Sequence, residues 1–119
     1  MVQSLFWSCM QLMTRGNVWW VEFDPAVGSE IKKTRPAVIV SNDIANQYLS
    51  RVVVIPLTSN VSRIYPGEAV VLLNGVKNKA MTDQIMSADK SRLKTKIADL
   101  SDNDMHSIEI AMKRFFDFC

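Results

Sequence analysis

Apolar residues fall in short blocks over most of this chain and switch to a helical spacing only near its end. "NVWWVEF" (17–23) is rich in β-branched and aromatic residues and stops at the breaker pair Asp24-Pro25, which predicts a strand. "PAVIVS" (36–41) and "RVVVIPL" (51–57) are apolar at odd and even positions alike, the pattern of strands buried on both faces. "EAVVLL" (68–73), the pair Asn74-Gly75 and "KAMTDQIMSA" (79–88) predict a fourth strand, a tight reversal and a fifth strand. "DKSRL" (89–93) reads as a single helical turn, and a short last strand is expected around residues 94–98. The blocks are separated by turn formers: "AVGSEIKKT" (26–34), "NDIANQY" (42–48) with a short helical piece, and "TSNVSRIYPG" (58–67).

After residue 100 the period changes. Met105, Ile108, Ala111, Met112 and Phe115 recur at helical spacing and form one apolar face. Ser101 is placed to cap this helix, with Asp104 approximating a capping box and Leu100 and Met105 a hydrophobic staple. His106 falls off the apolar face and is expected on the surface. Five or six short strands followed by one helix describe a small β-barrel with an appended C-terminal α-helix, a mainly β, α+β fold. The expected domain spans 13–119, with residues 1–12 an upstream extension. The strands at 36–41 and 52–57 need cover on both faces, from the helix or from a second subunit; burial in a homodimer is the preferred reading.

Composition narrows the classes. The chain has 119 residues, 48% hydrophobic and 22% charged, with a net charge of +2, typical of one soluble domain. The charge is polarised. Residues 77–96 hold six cations and two acids, whereas residues 99–119 hold five acids and two cations. A basic middle of this kind attracts a polyanion. Cys9 and Cys119 lie near opposite ends and His106 has no companion, so no zinc site or disulfide framework is expected and a reducing, cytoplasmic setting fits best. "MVQSLFWSCMQL" has no basic residue before its apolar stretch and no A-x-A-like exit, which argues against a secretory signal, and no apolar run reaches the roughly 18 residues of a membrane span.

The residues suited to chemistry sit at strand ends. Pro36 cannot donate a ladder hydrogen bond and is expected at the first position of its strand, which sets Arg35 at the sheet rim behind Lys32 and Lys33. Ser41 and Asn42 end that strand, Thr58, Ser59 and Asn60 follow the next, and Glu30 precedes Arg35 in its loop. Asp83 and Gln84 are expected inside the fifth strand, where neighbours face opposite sides, so only one of them meets a ligand. Turn chemistry explains Ser, Asn and Asp at strand ends equally well. No Ser-His-Asp set, Walker loop or metal cluster is present, which leaves acyl transfer, nucleotide hydrolysis and metalloenzymology without support.

"GNVWWVEFDPAVGSE", "RPAVIVSN", "VVVIPLTS", "YPGEAVVL" and "DQIMSADKSRL" occur in an order and spacing that strongly resembles the MazF/PemK family of toxin endoribonucleases, over residues 14–118. The resemblance implies an SH3-like barrel, a homodimer, and metal-independent cleavage of single-stranded RNA with no cofactor. It also implies neutralisation by a small antitoxin with an acidic, disordered tail. The family's catalytic arginine and threonine fall on Arg35 and Thr58, and a supporting glutamate falls on Glu30. These residue types suit attack by the ribose 2′-OH, because the transition state gathers charge on phosphoryl oxygens. Arg35 offers a planar fork and Thr58 a hydroxyl. An arginine is a poor proton acceptor, so the general base is left between Glu30 and a bound water. Lys32, Lys33, Lys77 and Lys79 are expected to hold the RNA backbone, Gln84 to read a base edge, and Asn42, Ser59 and Asn60 to complete the contacts. A barrel of this kind also resembles CcdB-type toxins, which bind DNA gyrase and cleave nothing; the "RPAVIV" and "PLTS" segments favour the ribonuclease.

Overall fold

A computed structural model describes residues 12–23 and 33–118. β1 (Asn17–Phe23) and β2 (Lys33–Ile39) pair antiparallel, Val21 opposite Arg35 and Val18 opposite Val38. β2 pairs with β3 (Arg51–Thr58), Ala37 opposite Pro56 and Ile39 opposite Val54. A short helix, α1 (Asp43–Tyr48), turns the chain between them. β4 (Ala69–Leu73) and β5 (Val76–Ala80) form a hairpin over Asn74 and Gly75, whose φ values of 50° and 80° are the positive angles a type I′ turn requires. β6 (Met86–Asp89) pairs with the first half of β3, and β5 with its end. β7 (Leu93–Asp99) returns to β1, and α2 (Asp102–Phe116) follows. The strand order β4-β5-β3-β2-β1-β7, with β6 beside β3, makes a half-barrel sheet carrying a C-terminal helix.

The core lies on both faces of the central strands. Val38, Val40, Ile55, Leu57 and Val71 point to α2, where Leu100, Met105, Ile108 and Ala111 meet them. The alternate residues Ala37, Ile39, Val52 and Val54 pack with Trp19, Val21, Ala88 and Leu93 on the opposite face. The double-sided apolar pattern is therefore satisfied within one chain, by α2 on one side and by the strands β1, β6 and β7 on the other. A second subunit is not needed to cover these strands, which corrects the expectation that their surplus faces form a dimer interface.

Three local expectations also change. β2 begins at Lys33, so Pro36 is its fourth residue. Pairing with β3 starts only at Ala37, leaving 33–36 as a one-sided sheet edge where a proline is tolerated. The run 79–88 is not one strand. Pro56 turns its carbonyl to that edge, accepts the Met81 N–H at 2.9 Å, and has no N–H to return. The ladder stops, and a 3-10 turn over Thr82–Gln84 separates β5 from β6. Finally, Asp104 does not close a capping box: Ser101 accepts its N–H, but its carboxylate accepts the Leu72 N–H at 2.9 Å and ties α2 to the edge strand β4. The apolar helix face ends early, since Phe115 is 46% exposed, while His106 is exposed as expected. Among the described residues no helix is long and apolar enough to cross a membrane.

Candidate active site

Register decides where Arg35 lies. The β2–β3 ladder ends at Ala37 opposite Pro56, so Arg35, two residues before it in β2, and Thr58, two residues after it in β3, lie beyond the last pair at the same end of the two strands. Thr58 in turn pairs with Lys79 of β5, and Lys79 with Val70 of β4. Three strands thus contribute one row, Thr58–Lys79–Val70, with neighbouring strands about 5 Å apart, and Arg35 lies off its end on the unpaired start of β2. Alternation places this row on the sheet face away from α2, because the intervening residues Leu57, Ala80 and Val71 belong to the core beneath the helix.

The Thr58 hydroxyl oxygen accepts the Asn60 N–H at 3.2 Å, the turn-capping role open to any threonine at a strand end. That bond uses a lone pair, so the hydroxyl can still donate its proton, and it has no acceptor among the described residues. Arg35 is partly exposed and has no ion-pair partner among the described residues. A guanidinium and a hydroxyl therefore lie at the same end of β2 and β3, the former without an ion-pair partner among the described residues.

Beside them the segment 59–67 walls a concavity of about 430 Å³, lined by Thr58, Asn60, Ser62, Arg63, Tyr65, Lys79 and Met81. Arg63 and Tyr65 escaped the sequence reading because they sit among turn formers; the usable signal was an arginine and an aromatic two residues apart in an otherwise small, polar loop. Arg63 is exposed and Tyr65 half-exposed, a charge and a ring face of the chemistry that can meet a phosphate and a base.

Other expected contacts are redistributed. Lys77 and Lys79 lie on β5 rather than in a loop, and only Lys77 is exposed. The Lys79 ammonium donates to the Arg63 carbonyl at 2.8 Å, contacts Glu68 at 3.0 Å and lies 5.2 Å from the centre of the Tyr65 ring, so it is not a free backbone clamp. Ser59 and Asn60 are exposed beside Thr58, though the Asn60 side chain is held by Ser62. Asn42 is at the opposite end of β2, where its side chain caps α1 by accepting the Ala45 N–H at 2.8 Å; the fold does not bring it to the site. Gln84 and Asp83 are both exposed on the 3-10 turn, so strand alternation does not sort them. Gln84 touches the Met81 sulfur, while Asp83 borders a second hollow together with Tyr65 and Phe115. Glu30 and Lys32, and the side chain of Lys33, lie outside the described residues. Among the described residues no group of three or more His, Cys, Asp or Glu is placed to hold a metal.

A half-barrel sheet with a C-terminal helix, with Arg35 and Thr58 at one end of its central strands, sets the fold class, and comparison with known proteins makes the family specific. The family model for the PemK-like, MazF-like toxin of type II toxin–antitoxin systems matches residues 14–116. Endoribonuclease MazF9 of Mycobacterium tuberculosis is 38% identical over 117 residues, covering 89% of this chain and 98% of that protein. Endoribonuclease MazF of Staphylococcus saprophyticus is 32% identical over 106 residues, covering 85% and 88%. In shape the chain is similar to the MazE–MazF structure from Deinococcus radiodurans, with a TM-score of 0.76 at 23% identity over 91% of this chain and 98% of that one. It is also similar to a mycobacterial endoribonuclease solved with its cognate antitoxin, with a TM-score of 0.74 at 22% identity over 89% and 96%. The chain belongs to the PemK/MazF toxin family. The CcdB-like, gyrase-binding alternative is not favoured.

Proposed function

We propose that this protein is a sequence-specific toxin endoribonuclease that cuts single-stranded RNA by attack of the ribose 2′-OH on the adjacent phosphate, without a metal. The observation that supports the reading is that Arg35 and Thr58 lie at the same end of the β2–β3 ladder, next to the concavity lined by Thr58, Arg63 and Tyr65. The 2′-oxygen forms a bond to phosphorus and the 5′-oxygen leaves, giving a 2′,3′-cyclic phosphate and a 5′-OH. Charge grows on the non-bridging oxygens during this exchange. Arg35 donates a fork of N–H groups to them, and Thr58 adds its hydroxyl proton. The 2′-OH proton passes to Glu30 or to water, and Arg35 donates toward the leaving oxygen. Arg63 and Tyr65 hold a flanking nucleotide by charge and by stacking, and Lys77 lies on the same sheet face to meet the backbone.

The partner reading follows from the same rim. A small antitoxin with an acidic, disordered tail neutralises the protein by occupying the Arg35 rim, as a polyanion competing with RNA. The active form is a homodimer acting in the cytoplasm. Its interface draws on exposed apolar side chains outside the sheet core, such as Phe115 and Phe116 at the end of α2.

The test is cleavage of a short single-stranded RNA in EDTA, with analysis of the new ends. Cyclic-phosphate and 5′-OH ends are expected, and a single 2′-deoxy substitution at the cut site abolishes cleavage. Cleavage at the 2′-deoxy linkage rejects the internal-nucleophile chemistry.

A further inference from the structure

The loop that walls the concavity is made almost entirely of bonds to itself. Asn60 N–H reaches Thr58, the Ser62 amide and hydroxyl reach Asn60, the Tyr65 N–H reaches the Glu68 carboxylate at 2.8 Å, and the Glu68 N–H reaches the Tyr65 carbonyl at 3.0 Å. Each of these spans two or three residues, so none fixes the loop relative to the sheet. At its end Gly67 has φ +87° and lies so near α2 that a Cβ there would stand 3.3 Å from the Phe115 Cβ. That close approach sets where the loop stops, not where its tip points.

One side chain supplies the missing tie. Lys79, 16 residues from Arg63 in sequence, donates its ammonium to the Arg63 carbonyl at 2.8 Å. The same nitrogen contacts Glu68 Oε1 at 3.0 Å, the oxygen that also accepts the Tyr65 N–H. Its third direction is the Tyr65 ring, 5.2 Å away. Lys79 is 8% exposed and pairs directly with Thr58 across the β3–β5 ladder. The loop's arginine and aromatic are therefore both gripped by the strand neighbour of the candidate catalytic threonine.

We propose that Lys79, together with Glu68, is a positioning residue for RNA: it anchors the 59–67 loop to the sheet so that Arg63 and Tyr65 stand beside Thr58. Its RNA readout rests on the ribonuclease reading above; the anchoring itself does not. A buried ion pair differs from a solvated one in a useful way. Removing one partner leaves an uncompensated charge, whereas removing both leaves a neutral, packable site. Stability and positioning can therefore be separated.

The experiment compares the wild type with Lys79→Met, Glu68→Gln and the double variant. The readouts are thermal melting, amide exchange at Tyr65 and Glu68, and kcat and KM on a short single-stranded RNA. Glu68→Gln keeps an acceptor for the Tyr65 N–H but leaves the buried Lys79 charge uncompensated, so its melting temperature falls. Lys79→Met lowers the melting temperature, and the double variant recovers most of that loss. In the double variant KM stays raised by about tenfold, the scale of one lost stacking or charge contact, with kcat within about threefold. Its Tyr65 amide exchanges at least about tenfold faster than in the wild type. A double variant with wild-type KM and wild-type exchange overturns the proposal and leaves the pair a purely structural one. If the wild type cleaves no RNA while the double variant still exchanges faster, the ribonuclease reading fails and the anchoring stands.

Discussion

The strands β2 and β3 end in two mouths built from similar residues, and the fold treats them differently. At the α1 end, Ser41 accepts the Val53 N–H at 3.0 Å and bonds Asn46. Asn46 donates to the Ser41 carbonyl at 2.9 Å and to Asp43 at 3.1 Å, and Asn42 caps the helix. Arg15 is drawn in as well, its amide on Asp43 and its guanidinium on Glu109 at 2.7 Å. The polar groups there satisfy one another, and the cation is neutralised. At the other end Arg35 has no ion pair among the described residues, and Thr58 uses only a lone pair. A strand mouth becomes a candidate site when its donors are left over, not when its residues are polar.

The sharpest way to break this comparison is to remove the leftover donors. Arg35→Ala and Thr58→Ala are each expected to lower RNA cleavage by at least ~10²-fold, the usual cost of one transition-state donor, with little change in melting temperature. Full activity in a folded Arg35→Ala protein would reverse the roles of the two mouths.

Asn46→Ala should do the opposite. Asn46 is 3% exposed and serves both Ser41 and Asp43, so its loss is expected to cost about 1–3 kcal/mol of stability by denaturant melts while kcat/KM holds. A selective loss of cleavage there would show that the α1 mouth carries function after all.

Tyr65→Ala sharpens the boundary of the open mouth. It is expected to raise KM for single-stranded RNA by roughly fivefold to tenfold, leaving kcat nearly intact, as fits a stacking surface 52% exposed in the free protein. A fall in kcat alone would move Tyr65 from binding into the chemistry.

The smallest effect is predicted at Asn42. Replacing this cap by Ala costs about 1 kcal/mol and leaves RNA affinity unchanged. Weakened RNA binding in Asn42→Ala, measured by titration with a 2′-deoxy analogue, would return Asn42 to the contact set from which its place in the fold removes it.

Periodicity and turn chemistry carried much of the architecture. The switch from short apolar blocks to helical spacing separated the sheet from α2. Asn74-Gly75 marked its hairpin and Ser101 its helix start, because those features depend on residues next to one another in the chain. The same local logic located Thr58 at the end of β3, whereas Arg35, expected just before its strand, is the third residue of β2; the roles of both rest on family likeness.

Tertiary structure decided the rest. That Arg35 and Thr58 come to the same end of the β2–β3 ladder is a matter of register, which turns on pairing between segments and not on either segment alone. The break at Thr82–Gln84 follows from Pro56 in a different strand, so no reading of residues 79–88 by themselves finds it. Lys79 reads in sequence as one more surface cation. It is buried because β5 sets it between Thr58 and Val70, with Glu68 and the Arg63 carbonyl close enough to hold its charge. Local sequence fixes conformations through nearest neighbours, whereas the partners that neutralise or free a charge come from residues distant in the chain.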